Sequence, residues 1–297
     1  MSAIGRPPWQ NRPTWPVQTL KGIVIAGIVF VMLYPFVYVV ATSFSGDTTS
    51  VSGNGLLPTH YSFAAYKAIF SGNVVLRSLM ISIGVTLVGT ALSMIITIGM
   101  AYGLSRTRDV PGTRFVLYAV LATMLFTSGI IPNYLLMKSL GLLNSYWSLI
   151  LPGVANAFNM VVLRNFFMEI PADLFDSARI DGASEWQILT RIVLPLSKAV
   201  LAVVALFYAV GYWNDFFNAL LYLNDSTKWP IQLVLNQYVI HGQNLDQAGA
   251  PASGQLRVAA QSIQMAVVVV ATVPILVVYP FLQRYFTKGV LTGAIKG

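Results

Sequence analysis

Five of the chain's ten carboxylates, Glu169, Asp173, Asp176, Asp181 and Glu185, fall in one short stretch. Carboxylates so close together could divide acid and base roles if a pocket held them. The stretch reads instead as an exposed helical hairpin, which offers no such enclosure. Other chemistries lack their parts. His60 and His241 have no partner histidine at metal spacing, and the absence of cysteine removes disulfides, thiolate catalysis and Cys-type metal sites. No Gly-x-x-x-x-Gly-Lys-Ser/Thr loop is present to cradle nucleotide phosphates. The residues therefore imply no catalytic site, no metal and no cofactor bound by this chain.

The acidic stretch has its own local logic. Pro171 suits the first turn of a helix, where its missing N–H would be unpaired anyway, and Asp173 complements the positive end of the helix dipole. The helix should run from about 171 to 181, with Gly182 as the left-handed residue that ends it. Ser184 followed by Gln187 has capping-box spacing for a second helix. Trp186, Leu189 and Val193 would form its apolar stripe, and Pro195 should limit its extent. The result is a helix, a glycine turn and a helix. A DNA-reading helix-turn-helix is a poor match, because phosphates would repel the five acids.

This hairpin must be held by elements of a particular kind. Hydrophobic residues make up 56% of the chain and charged residues 9%, with a mean hydropathy of +0.69. Soluble domains carry about 25% charged residues, so the chain reads as a polytopic membrane protein. A helix needs roughly 20 apolar residues to cross the hydrocarbon core. Six runs qualify, at 20–44, 76–104, 115–137, 146–167, 199–223 and 258–283, and the expected fold is all-α with six transmembrane helices. The expected organisation is an N-terminal segment 1–19, a membrane domain 20–283 and a tail 284–297. Two polar loops, 45–75 and 224–257, lie on one side of the membrane and the hairpin 168–198 on the other. Span 1 shows no small-residue cleavage site and reads as a retained helix.

Lys and Arg set the orientation, because cytoplasmic segments carry the excess. Placing the N-terminus inside puts 13 of the 18 Lys and Arg residues there, counted from the sequence. Both termini and the hairpin are then cytoplasmic. The net charge of +8 is thus mainly a topology signal, and no basic soluble domain exists to bind nucleic acid. In the 224–257 loop, Trp229 and Tyr238 could anchor a short interfacial helix ahead of a Gly/Asn/Gln/Ala tip.

Polar groups within the spans need a reason, since an Asp at the centre of a membrane helix costs about 2.5–3.5 kcal/mol on insertion scales. Asp215 falls in the outer half of span 5 beside Asn214 and Asn218, with Tyr208, Tyr212 and Trp213 supplying aromatic faces. Asn156 and Asn159 in span 4 are further candidates, as are Asn133, Tyr134, Gln261 and Gln264. These residues could line a translocation pathway, or they could serve helix–helix hydrogen bonding.

The run Asp176-Ser177-Ala178, three residues, Gly182, nine residues, then Ile192-Val193-Leu194-Pro195 resembles the Glu-Ala-Ala…Gly…Ile-x-Leu-Pro signature of permease subunits of binding-protein-dependent ABC importers. Asp176 stands for the usual Glu and Ser177 for the first Ala. Gly141-Leu142-Leu143-Asn144-Ser145-Tyr146-Trp147, Tyr212-Trp213-Asn214-Asp215-Phe216-Phe217-Asn218 and the ending from Gly289 to Gly297 resemble the second permease of maltose-type importers. The likeness is nearest to oligosaccharide importers of the alginate and aldouronate kind.

The resemblance implies a type I importer permease in the bacterial inner membrane, paired with a sister permease, two ATPase subunits and an extracytoplasmic sugar-binding protein. ATP and Mg would be held by the ATPase subunits. Asp176, Ser177, Ala178, Asp181, Gly182, Ala183, Trp186, Ile192 and Pro195 would couple to them. Gly242, Gln243 and Asn244 would contact the binding protein. The residues alone also admit a proton-coupled carrier using Asp215, or a non-transporting membrane scaffold.

Overall fold

Apolar side chains with few charges favour long helices, and the computed structural model is all-α where it describes the chain, over residues 15–45, 60–106, 111–126, 128–240 and 260–294. Among these, the single β-type pairing is an isolated bridge between Ser45 and Tyr61. Two compact units are present, residues 1–68 with 253–269 and residues 69–252 with 270–297.

The first unit contains α1 (Trp15–Ser43), most of α2 (Ala64–Ser71) and the start of α14 (Ala260–Ala294). Most of α1 exposes its apolar side chains, among them Ile23, Phe30 and Met32. Its last turn is fixed by polar and aromatic contacts. Ser43 Oγ lies 2.8 Å from Tyr66 Oη, and Phe44, Phe63 and Tyr66 form an aromatic cluster. Gln261 donates to Tyr38 Oη at 3.2 Å.

The second unit is organised around α3 (Asn73–Ser105). In chain order follow α4 (Thr113–Leu125), α5 (Ile130–Ser139), α6 (Trp147–Ile150), a 3₁₀ turn at Leu151–Gly153 and α7 (Ala157–Met168). The hairpin comprises α8 (Ala172–Ile180), α9 (Glu185–Ile188), a π-helical turn at Leu189–Val193 and α10 (Leu194–Leu196). Beyond it come α11 (Lys198–Trp213), α12 (Phe217–Tyr222), a 3₁₀ turn at Ser226–Lys228 and α13 (Ile231–Ile240). The core lies where α3, α7 and α11 meet, with Ala101, Leu163, Ile188, Val193 and Val204 fully buried.

Three helices, α1, α3 and Gln261–Pro280 of α14, are long and apolar enough to cross a membrane unbroken. The other three expected spans are broken. α4 and α5 form one bent pair, α6 with its 3₁₀ turn meets α7 at 48°, and the limb Glu185–Leu196 meets α11 at 85° just ahead of span 5, which itself breaks further on. Span 5, expected continuous over 199–223, stops at Trp213 after the 16 residues of α11. Asp215 therefore sits in a turn rather than inside a helix. At the other end, α14 continues as helix to Ala294, into the expected tail.

Candidate functional site

The hairpin is built from local rules. Pro171 takes the cap position just ahead of α8, with Asp173 in its first turn and Arg179 in its last, both signs matched to the helix dipole. The Gly182 N–H bonds the Arg179 carbonyl at 3.0 Å and the Ala183 N–H bonds the Ala178 carbonyl at 2.9 Å. This paired 5→2 and 6→1 pattern is a Schellman ending, and it requires the left-handed backbone of Gly182, φ 79°. A Cβ there would meet no neighbour, so the constraint is conformational rather than steric crowding. The capping box forms in full: Gln187 N–H donates to Ser184 Oγ at 3.4 Å and Ser184 N–H donates to Gln187 Oε1 at 2.8 Å. Ser177, at the position where Ala is usual, turns its hydroxyl back to the Asp173 carbonyl at 2.8 Å.

Two expectations about the second limb are corrected. Trp186 does not join the packed stripe and is 72% exposed, while Ile188, Leu189 and Val193 are buried. At about 100° per residue, Trp186 lies roughly 110° around from a face centred between Ile188 and Leu189. Pro195 does not end the limb, which reaches Leu196. Its ring would collide with the Arg191 carbonyl in a regular α-helix, and the wider π turn before it relieves that clash. Asp176, Ser177, Asp181, Gly182 and Pro195 are exposed, whereas Ala178, Ala183 and Ile192 are half-buried. Ile180, at 86% exposure, joins Trp186 as an outward apolar side chain.

The hairpin is tied to the end of α3 through Tyr102 and Arg106, which sequence reading did not single out. The Tyr102 hydroxyl donates to Glu185 Oε2, and Arg106 donates to Tyr102 Oη at 3.1 Å. Arg179 donates to the other oxygen of Glu185 through Nη2 at 3.0 Å. The Arg106 guanidinium stands 3.8 Å from the ring centroid of Phe175, the buried anchor of α8. Arg164 of α7 donates to the Leu104 carbonyl at 2.9 Å. The Tyr102 hydrogen bond, with Arg179 and the charge of Arg106, holds the Glu185 carboxyl below the usual glutamate range against a smaller opposing effect of burial. The available signal was the i, i+4 pair Tyr102 and Arg106 at the end of a span, of which only Arg106 enters the sequence reading, as one of the charges that set the orientation.

The aromatic and amide residues around α11 divide into two groups. Tyr208, Tyr212 and Trp213 are buried, and their polar atoms bond within the chain. The Asn156 N–H donates to Tyr208 Oη at 3.1 Å, and the same hydroxyl shares a hydrogen bond with Thr97 Oγ1 at 2.6 Å. Tyr212 donates to the Ile150 carbonyl at 3.1 Å, so Ser93, 2.8 Å away, donates to Tyr212. These two rungs satisfy backbone groups on either side of the break between α6 and α7, where hydrocarbon could not. Trp213 Nε1 donates to the Ala271 carbonyl at 3.3 Å. Asn156 caps α7 through Asn159 N–H at 3.0 Å, and Asn159 is buried.

The second group is more open. Asp215 accepts from the Asn218 N–H at 3.2 Å and from Asn218 Nδ2 at 3.0 Å, so its carboxylate satisfies a backbone N–H in the first turn of α12. Exposed Asn214 accepts from Gln232 at 3.4 Å. An apolar recess of about 350 Å³ between α3, α11 and α14, lined by Leu87, Leu206, Val210 and Ile275, offers a sugar no polar partner. Among the secondary candidates, Asn133 accepts from Ser128 and Tyr134 stacks near Tyr222.

Near the 224–257 loop, Asn144, at φ 60°, accepts from Asp225 N–H through its side chain and from Lys228 through its carbonyl. Tyr238 is buried and Ser82 Oγ accepts the Ile231 N–H at 2.8 Å, so α13 packs on α3 rather than lying as a free interfacial helix. Gly242, Gln243 and Asn244 lie outside the described residues.

Broken membrane helices packed on the long α3, with a capped helical hairpin beside its end, are an arrangement suited to a membrane-transport component. Residues 22–292 match the family of binding-protein-dependent transport system inner membrane components, and the chain belongs to that family. It is 48% identical over 268 residues to the polygalacturonan/rhamnogalacturonan transport system permease protein of Bacillus subtilis, covering 90% of this chain and 93% of the relative. It is 30% identical over 270 residues to the diacetylchitobiose uptake system permease protein of Streptomyces coelicolor, with 90% and 85% covered. Among solved structures, a bacterial ABC transporter involved in import of the acidic polysaccharide alginate superposes with a TM-score of 0.87 at 30% identity, covering 94% of this chain and all of that one. The chain is thus a non-catalytic, multi-pass inner-membrane permease component of a carbohydrate ABC importer, dependent on a binding protein and on ATPase partners. That membership replaces the proton-coupled carrier and the non-transporting scaffold.

Proposed function

We propose that this permease pairs with a related sister permease, sits with it on two ATPase subunits, and carries oligosaccharides delivered by an extracytoplasmic binding protein. Both termini and the hairpin 168–198 face the cytoplasm, in line with the Lys and Arg distribution. The observation that carries the reading is the hairpin itself, rigidly capped at Gly182 and Ser184 yet presenting Ile180 and Trp186 outward. An exposed Trp on a rigid unit is a typical interface anchor. The exposed apolar side chains of α1 face the bilayer or the sister permease. ATP and Mg stay on the ATPase subunits, and this chain binds no cofactor of its own.

For substrate, fragments of uronate-containing polysaccharides are favoured, because the relative at 48% identity is named for polygalacturonan and rhamnogalacturonan and the solved structure for alginate. Asn214, Asp215 and Asn218 are proposed to meet the sugar, being less buried than the clamped Tyr208 and Tyr212. The loop containing Gly242, Gln243 and Asn244 is assigned to the binding protein. Co-purification tests the docking reading. Gly182→Val forces a β-branched residue into the left-handed region and should remove most ATPase subunit from the purified complex. Full retention with normal ATP hydrolysis would refute the role.

A further inference from the structure

We infer that Tyr102, Arg106 and Glu185 form a latch that makes the hairpin and α3 move as one body. The inference rests on the docking reading above and specifies the route by which a push on the hairpin reaches the spans. Both covalent exits from the hairpin are poor levers. One is the non-helical join through Ile170 and Pro171 into α7, and the other is the 85° bend at Ser197 into α11. The non-covalent route is direct. Glu185 binds α8 through Arg179 and α3 through Tyr102, so one carboxylate joins both limbs of the hairpin to the same helix. Arg106 completes the knot by holding the Tyr102 hydroxyl while lying over the buried Phe175 ring.

What α3 does with the motion is also written in its contacts. It runs unbroken for 33 residues, bonds α11 through Ser93 and Thr97, and accepts the first N–H of α13 on Ser82. From Tyr102 to Ser82 is about 30 Å at 1.5 Å per residue, so α3 is long enough to carry a displacement across the hydrocarbon core. The latch is partly exposed, with the Glu185 side chain at 54%. Exposed ion pairs contribute little to folding, so removing this one should change linkage more than stability.

The absence of native cysteine makes a paired-label measurement direct. Gly99→Cys lies on α3 where an added Cβ meets nothing within 4 Å, and Ala172→Cys lies exposed at the start of α8. Nitroxide distances would be read in the assembled complex, nucleotide-free and with a non-hydrolysable ATP analogue. With the latch intact we expect one narrow distance, identical in both states. Tyr102→Phe and Glu185→Gln should each broaden it and make it shift with nucleotide, the double variant should match the singles, and the melting temperature should move little. A wild-type distance that shifts with nucleotide, a Tyr102→Phe distance as narrow and fixed as wild type, or additive effects in the double variant would overturn the latch. Failure of the docking reading would be distinct, appearing as undiminished ATPase co-purification with Gly182→Val.

Discussion

Tyr212 has one hydroxyl hydrogen and spends it on the Ile150 carbonyl, while its oxygen takes a second hydrogen from Ser93. Replacing it by Phe leaves a carbonyl and a serine without their partner in a buried site, a change that costs about 1–3 kcal/mol. Tyr212→Phe should therefore lower the melting temperature of the purified permease, whereas Tyr118→Phe, at a 66% exposed position, should not. Equal melting of the two variants would contradict the clamp. The same residue shows what a sequence can and cannot convey. Tyr208 and Tyr212 are one helical turn apart, so their shared face was legible, as was their polarity within an apolar run. Their use was not, because Ser93 and Thr97 repeat that spacing on a helix more than a hundred residues away and only folding brings the pairs together.

At the scale of elements, α3 and α11 approach closely because Gly89 leaves room for the Tyr212 ring. A Cβ on residue 89 would lie 2.8 Å from Tyr212 Cε2. Gly89→Ala should cost about 1–3 kcal/mol through overpacking, read as a lower melting temperature, with smaller loss when Tyr212 is also replaced by Leu. Additive losses in that pair would show that the two residues do not share the contact. The hairpin was the most legible element, since Ser184, Gln187 and Gly182 act through bonds within four residues of themselves. Continuous spans were the least legible, because hydropathy registers apolar length and is blind to direction. The break between Gly153 and Ala157 occurs inside a largely apolar stretch and survives because distant groups satisfy the freed backbone, as Tyr208 does for Asn156 and Tyr212 for Ile150. Trp186 departs from the expected packed stripe for a related reason: hydrophobicity does not distinguish a side chain that faces its own core from one that faces outward.

For the whole molecule, the architecture divides labour along α3. One end is latched to an exposed hairpin, the middle is clamped to α11, and the far end holds α13. Such a layout suits a component driven from outside itself, in keeping with a permease family whose ATP hydrolysis belongs to partners. A ligand or nucleotide can shift the two transport states only by binding them unequally, so the proposed docking requires the hairpin surface to differ in its fit to the ATPase subunits between states. The decisive measurement is sugar-stimulated ATP hydrolysis in proteoliposomes holding both permeases, the ATPase subunits and binding protein loaded with oligogalacturonide. It compares wild type with Ile180→Asp/Trp186→Ala, two changes confined to exposed side chains. Stimulation in the wild type and its loss in the double variant, with the permeases still folded and paired, is the predicted result; stimulation of the same size in both would contradict the coupling role of the hairpin.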